Sequence, residues 1–323
     1  MTAWAGRHVL VTGASGLLGS AVCASLLERG AEVVALVLDR DERSALFRDG
    51  TARWCAVVEG RLQDGEAVAR ALAVHRVDTV VHLGAQTQVR AAWDHPLETW
   101  ETNVRGTYQV LEACRVQHRL VDRVLVASSD KVYGDAPVPY HEDGPLAAVF
   151  PYDVSKLVTE HLVRCYVENY GLRAVVSRCG NIFGPGDLNW DRLVPGTLRS
   201  LLAGTRPVVR SNGKLVRDYL YVGDAAEGML RLLEESHRPE VRACPVNLAA
   251  GNPMTVLEMV DAVSRAAGIQ LEPEVRHEAH HEIEVQHLAT DRAASLLAWR
   301  ARVPLGDALS RTAAWYRALL RRA

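Results

Sequence analysis

Short β-branched runs and amphipathic stretches alternate along the first half of the chain. His8 to Thr12 (HVLVT) reads as a buried strand and is followed by a glycine-rich turn. Leu17 to Arg29 then keeps apolar residues at helical spacing until Gly30 ends it, and Glu32 to Leu38 (EVVALVL) is a second buried run. The same rhythm predicts strands at Ala56–Glu59, Thr79–Leu83, Arg123–Ser128 and Arg173–Ser177, and helices at Gly65–His75, Leu97–His118 and about Val154–Tyr170. Such strands, alternating with helices, make a parallel sheet covered on both faces. After Cys179 the elements shorten: Gly184-Pro185-Gly186, Pro195, Gly204 and Pro207 arrive close together. Asp218 to Leu233 regains a strand-to-helix pattern, Val246 to Leu248 reads as a last strand, and Val256–Ala267 and Leu305–Arg321 read as helices. The expected fold is α/β: a doubly wound parallel sheet over residues 1–178 with a return segment at about 216–250, and a smaller, interleaved lobe from 179–215 and 251–323.

Composition agrees with this and narrows the function. The 323 residues are 48% hydrophobic and 24% charged, which excludes disorder and supplies core for about two domains at ~150 residues each. With 39 acids against 37 bases, and no block of like charge, nothing calls for nucleic acid. The six cysteines are scattered without a C-x-x-C, as expected of reduced thiols in a cytoplasmic protein. The chain runs from Met1 straight into this pattern, so no signal peptide and no membrane span are expected. Lysine is rare: Lys131, Lys156 and Lys214 stand among bases that are otherwise all arginine, so each lysine is more informative than usual.

Gly13, Gly16 and Gly19 lie between the first strand and the first helix, and Asp39 ends the next strand. Glycine allows a tight turn and close approach of backbone to a pyrophosphate, while the helix N-terminus offers free N–H groups and the positive end of its dipole. An acid about twenty residues on is placed to accept from a ribose diol. Strand, triplet, helix, strand and acid fall in order, so a Rossmann-type dinucleotide site is expected; the alternative is a purely structural glycine turn. Arg40 follows Asp39, but the acid repels a 2′-phosphate, which favours NAD over NADP.

Tyr152 and Lys156, one helical turn apart, share a face. Tyrosine is a poor base at its ordinary pKa of ~10. A nearby ammonium and the positive nicotinamide ring favour the phenolate. Ser129, just after the strand ending near Ser128, is placed to hydrogen-bond the same substrate hydroxyl.

On these motifs the chain resembles the extended short-chain dehydrogenase/reductases that modify nucleotide sugars. The likeness covers nearly the whole chain: VTGASGLLG (Val11–Gly19), HLGA (His82–Ala85), NVRGT (Asn103–Thr107), SSDKVYG (Ser128–Gly134), YDVSK, RCGNIFGPG (Arg178–Gly186) and RDYLYVGD (Arg217–Asp224). It implies Ser129, Tyr152 and Lys156 as the catalytic set. It also implies cofactor contacts from Gly13, Ser15, Gly16, Leu17, Leu18, Gly19, Asp39, Leu62, Leu83 and Ala85, with Tyr152 and Lys156 beside the nicotinamide. In relatives a G-D-L after the third strand places Asp against adenine. Here Gly60-Arg61-Leu62 puts Arg in that place, which leaves backbone or Asp64 for the contact.

Asp130 and Lys131 narrow the choice within that resemblance. Simple 4-epimerases usually carry small or apolar residues after the catalytic Ser/Thr. The 4,6-dehydratases carry an acid there, followed by Glu in the dTDP-glucose type, or by Lys in enzymes resembling CDP-glucose 4,6-dehydratase and the UDP-N-acetylglucosamine dehydratases. The chemistry needs such a pair: oxidation at C4 acidifies the C5 proton, a base removes it, and an acid protonates the departing C6 hydroxyl. Lys131 is the expected base and Asp130 the expected acid; the alternative is an ordinary solvated turn.

A nucleotide sugar also brings a diphosphate, which suits guanidinium groups. Arg217 matches the family's diphosphate-binding Arg and Asn181 its phosphate-contacting Asn. Arg210 stands where many relatives place an aromatic against the base. Arg90 and Val194 complete the expected substrate contacts. His277, His280, His281 and His287 suggest a metal site to the eye but lack a carboxylate pattern on a rigid element, and the chemistry needs no metal. The expectation is an NAD-dependent nucleotide-sugar 4,6-dehydratase, a lyase most like those acting on CDP-glucose. The alternatives are a 4-epimerase and a non-catalytic dinucleotide sensor. By the resemblance, the helices near Leu97–His118 and Val154–Tyr170 pair across a two-fold axis in a homodimer.

Overall fold

A computed structural model describes residues 3–278 and 283–321. In chain order the strands are β1 (His8–Thr12), β2 (Glu32–Val37), β3 (Cys55–Glu59), β4 (Thr79–His82), β5 (Arg123–Ala127), β6 (Ala174–Cys179), β7 (Asn181–Phe183), β8 (Val208–Val209), β9 (Val216–Tyr221), β10 (Pro245–Leu248), β11 (Pro253–Thr255), β12 (Glu274–Val275) and β13 (Val285–Gln286). The helices are α1 (Leu17–Glu28), α2 (Ala45–Arg48), α3 (Gly65–Val74), α4 (Val89–Asp94), α5 (Pro96–Thr99), α6 (Gly106–Val116), α7 (Pro151–Tyr170), α8 (Leu193–Leu202), α9 (Val222–Glu234), α10 (Val256–Ala267), α11 (Asp291–Leu297) and α12 (Leu305–Leu320).

Seven strands form one parallel sheet in the order β10-β6-β5-β4-β1-β2-β3. The order reverses between β1 and β4, and a ligand crevice opens outside the carboxyl ends of strands at such a switch point. One face buries Val9, Val11 and Val33 against Val22 and Leu26 of α1 and Met229 and Leu233 of α9. The other buries Leu10, Val34 and Val124 against Leu72 of α3, Leu111 of α6 and Val163 of α7. Alternate residues of each strand thus serve opposite faces, which is why the runs read as continuously apolar.

The smaller lobe has its own core, with Leu198 and Leu201 of α8, Val263 of α10 and Tyr316 of α12 fully buried. α10 starts with a capping box: the Thr255 hydroxyl accepts from Glu258 N while Glu258 reaches back to Thr255 N. Three boundaries differ from the sequence expectation. β9 pairs with β7, β11 and β13 in the small sheet, so the return to the large sheet begins at α9, not at residue 216. The segment after residue 251 is not confined to the small lobe, since Ala293, Leu297 and Trp299 join the core around α1 and α9.

The stretch expected as one helix at Leu97–His118 is interrupted by a wide π turn at Trp100–Arg105. There the buried Asn103 accepts from Gln86 N at 2.7 Å and donates to Gln86 O at 3.0 Å and to the Ser155 hydroxyl at 2.9 Å. The extra residue of a π turn lets one amide serve both the loop after β4 and the catalytic helix. Outward, α6 and α7 present half-open Tyr108 and exposed Val116 and Tyr170 among ion pairs such as Arg105–Glu101 and Arg164–Glu168. Among the described residues no helix is long and apolar enough to cross a membrane.

Candidate active site

The crevice above β1 and β4 is shaped by what cannot be there. Gly13 has φ +65°, and a Cβ on it would stand 2.7 Å from Gly84 Cα; a Cβ on Gly19 would stand 2.1 Å from Gly13 O. Only glycine fits both positions. α1 begins at Leu17 with Gly16 as N-cap and no side-chain cap, so backbone N–H groups and the positive end of the dipole remain for an anion. Ser15, Leu17 and Leu18 line the turn half-buried, and Asp39 is exposed just past β2.

Across the switch point the Thr12 hydroxyl accepts from Leu83 N at 3.1 Å and Gly84 N at 3.0 Å, and lies 2.8 Å from His82 Nδ1. His82 Nε2 lies 3.1 Å from the Thr107 hydroxyl. Burial, with the charge of Lys156, takes the His82 imidazole down to about 3, so it is a neutral brace. Leu83 and Ala85 lie half-buried beyond it, and Leu62 closes the space beside Gly84 and Gly106. Two neighbouring side chains have partners of their own. Asp64, one suggested adenine contact, caps α3 by accepting from Ala67 N at 3.0 Å. Arg40 lays its guanidinium 5.1 Å from the Phe47 ring centroid.

The catalytic candidates converge at the carboxyl end of β5. Tyr152 and Lys156 lie in the first turns of α7, which Pro151 starts, and both are buried. Lys156 Nζ donates to Ala127 O at 2.9 Å. Ser129 caps a short 3₁₀ turn, Asp130–Tyr133; its hydroxyl accepts from Lys131 N at 3.2 Å and donates to Asp130 Oδ1 at 3.1 Å. Lys131 Nζ donates to Gln286 Oε1 at 2.8 Å.

Burial lowers the Lys156 ammonium to about 8, against the pull of Glu160. Burial raises Asp153 to about 6, with Lys131 opposing and Asp130 adding to the rise. Burial also pushes the Tyr152 hydroxyl well above the ordinary tyrosine range, a hydrogen bond with Ser129 opposes it, and Asp130 and Asp153 reinforce it. The lowering expected from the Lys156 ammonium is therefore not found among the protein's own charges, since Lys156 is turned to a backbone carbonyl.

Beneath the site lies a buried network that the sequence reading missed. Arg178 of β6 donates through Nε and Nη2 to Glu160 at 2.8 and 2.6 Å, and through Nη1 to the Tyr133 hydroxyl at 2.8 Å. The Ser128 hydroxyl donates to Glu160, and Tyr133 donates to Asn247 Oδ1 at 2.8 Å. Glu160 lies one turn past Lys156, so this fork fixes α7 against β5 and β6. Arg178 stood in the quoted RCGNIFGPG segment, but its carboxylate partner is close only in space.

The expected substrate contacts are dispersed. Asn181 starts β7 half-buried, and Val194 is buried in the core face of α8. Arg217 is largely buried on β9 and donates to Val216 O at 2.8 Å and Glu284 O at 3.3 Å. Arg210 and Arg90 lie at the surface beside Asp191 at 2.7 Å and Asp94 at 3.5 Å. His277 is exposed and His287 half-buried, while His280 and His281 lie outside the described residues. Among the described residues no three metal-ligating side chains form a cluster.

The model of the NAD dependent epimerase/dehydratase family matches residues 9–247. The chain belongs to this family. NAD is the family's cofactor, and the glycine turn with its uncapped helix end fits a pyrophosphate. A UDP-glucose 4-epimerase of Erwinia amylovora is 34% identical over 80% of this chain and 83% of its own. A trifunctional UDP-glucose 4,6-dehydratase/UDP-4-keto-6-deoxy-D-glucose 3,5-epimerase/UDP-4-keto-L-rhamnose-reductase of Arabidopsis thaliana is 27% identical over 98% of this chain. The chain spans about half the length of that relative, 48%. The crystal structure of a UDP-glucose 4-epimerase from Thermotoga maritima, solved with UDP-glucose, superposes with a TM-score of 0.88, at 25% identity over 97% of this chain and all of that one. The chain is thus a member of the NAD dependent epimerase/dehydratase family with relatives named as 4-epimerases and as 4,6-dehydratases.

Proposed function

We propose that the chain is a nucleotide-sugar 4,6-dehydratase that converts an NDP-glucose, CDP-glucose by preference, to the 4-keto-6-deoxy sugar. The observation that carries this is the buried Asp130 hydrogen-bonded to Ser129, with Lys131 next to it on the same turn and its Nζ held by Gln286, a second candidate acid–base pair beside Ser129. NAD, when bound at the glycine turn of Gly13, Gly16 and Gly19, would supply reversible hydride acceptance for C4 and C6 and the positive charge that favours a phenolate. Tyr152, as phenolate, takes the 4-hydroxyl proton, with Ser129 holding the same oxygen and Lys156 at its side. The neutral amine of Lys131 takes the C5 proton. The freed electron pair forms the C5=C6 bond as the C6–O bond breaks, and Asp130 protonates the leaving oxygen so that water departs. Lys131 returns a proton to C5 once C6 is reduced, so the cycle is redox neutral.

Arg217 and Asn181 are assigned to the diphosphate, Arg210 and Arg90 to the rim, and Val194 to the nucleotide wall. A 4-epimerase is the second reading, favoured by the likeness to the Erwinia amylovora enzyme; it uses Ser129, Tyr152 and Lys156 but has no task for a second base. A sensor would need no general base at all. Incubation with CDP-, UDP- and dTDP-glucose, followed by mass detection, decides: loss of one water supports the dehydratase, and a C4 epimer of unchanged mass overturns it. A homodimer through α6 and α7 is also proposed, supported by Tyr108, Val116 and Tyr170 at that surface. Light scattering at micromolar concentration should show twice the chain mass, and a strict monomer defeats the assignment.

A further inference from the structure

Lys131 has a partner from the other lobe. Gln286 lies on β13, in register with Arg217 of β9, and only 2% of its surface is exposed. An ammonium only donates, so the amide oxygen must face Lys131 and the amide nitrogen must face away. That nitrogen faces the Tyr140 hydroxyl, which itself donates to Gly134 O at 2.7 Å, and a hydrogen bond from Gln286 to the Tyr140 oxygen partly offsets the rise that burial gives that phenol. The segment is held firmly. Tyr140 N donates to His287 O at 2.9 Å and Ala289 N to Tyr140 O at 2.9 Å, so the loop after Lys131 and the strand carrying Gln286 are paired.

We propose that Gln286 is a positioning residue for the elimination half of the reaction: the small lobe delivers it across the cleft to aim the Lys131 amine. This rests on the dehydratase reading. The charged and titratable groups around this contact are Asp130 on the same turn as Lys131, Asp153 on α7, Arg217 in register with Gln286, and Tyr140, on which Asp130, Asp135 and Arg217 act. A neutral amide as direct partner holds Lys131 without adding a third negative charge, whereas a carboxylate there would keep the proton on the nitrogen.

Gln286→Glu keeps the shape of the side chain and adds that charge; Gln286→Leu removes the acceptor. Each is mixed with CDP-glucose, or with whichever of UDP- and dTDP-glucose the wild type consumes. Water loss is followed by mass and NADH by absorbance across pH 6–9. Gln286→Glu should move the acid limb of water loss up by about one pH unit and slow it ~10-fold at pH 7. Gln286→Leu should slow water loss ~10-fold with no upward shift of the limb. In both, C4 oxidation continues and NADH accumulates, which a merely structural role would not produce. Variants that keep the wild-type limb and accumulate no NADH overturn the proposal while the dehydratase reading stands. A wild type that yields the C4 epimer without water loss overturns both together.

Discussion

Lys156 and Lys131 are held by opposite means. Lys156 is buried on α7, its Nζ on the carbonyl of Ala127 in the large sheet, with the Glu160–Arg178 fork one turn below. Each of those contacts comes from the domain that carries the glycine turn. Lys131 sits half-buried on a single 3₁₀ turn, and its side chain is held by Gln286, a residue of the small lobe 155 positions away. The surroundings of Lys156 are therefore complete within the large sheet and its helices, while those of Lys131 depend on the two lobes meeting; in the proposed mechanism the first serves the oxidation half and the second the elimination half.

Separating the halves by mutation has the largest expected effect. Tyr152→Phe should suppress C4 oxidation and water loss together, by ~10²–10⁴-fold, because no hydride leaves C4 without the phenolate. Lys131→Ala should reduce water loss over the same range, ~10²–10⁴-fold, yet leave oxidation open, so that only this variant builds up NADH absorbance when substrate is added. Normal turnover by Lys131→Ala would erase the distinction and put the 4-epimerase ahead.

A smaller effect sharpens the electrostatic side of the contrast. Asp153 is raised to about 6 from 3.8. The folded protein thus binds its proton more tightly than the unfolded chain does, and folding stability falls as pH rises from about 4 to about 6. Asp153→Asn removes that dependence. Urea unfolding at pH 4 and pH 7 should show the wild type losing more stability than the variant over this interval, by no more than about 3 kcal/mol. Equal losses would mean that Asp153 ionises without penalty beside Lys131.

Much of the oxidation half was legible along the chain. Gly13, Gly16 and Gly19 announce themselves by spacing between a strand and a helix, and Tyr152 and Lys156 by a single helical turn, since both patterns are local geometry. The brace between Thr12, His82 and Thr107 was hidden: HLGA was visible as a motif, but its hydrogen bonds cross from β1 to β4 to α6. Asn103 was quoted within NVRGT, yet the π turn that aims it leaves the apolar period of the helix almost unchanged. The arginines were least legible. Arg90, Arg210 and Arg217 look alike in sequence, and burial alone separates Arg217 on its strand from the two at the rim.

Strand alternation, turn glycines and the order of motifs were enough to specify a doubly wound sheet, a dinucleotide turn and a Tyr–Lys pair, because each depends on backbone conformation and on residues within a turn of one another. The direction of the Lys131 side chain, the neutral state of His82 and the resistance of Tyr152 to ionisation had to wait for the folded arrangement. Those properties arise from desolvation and from partners that are distant along the chain, as Gln286 is from Lys131, and a charge responds to what surrounds it in space.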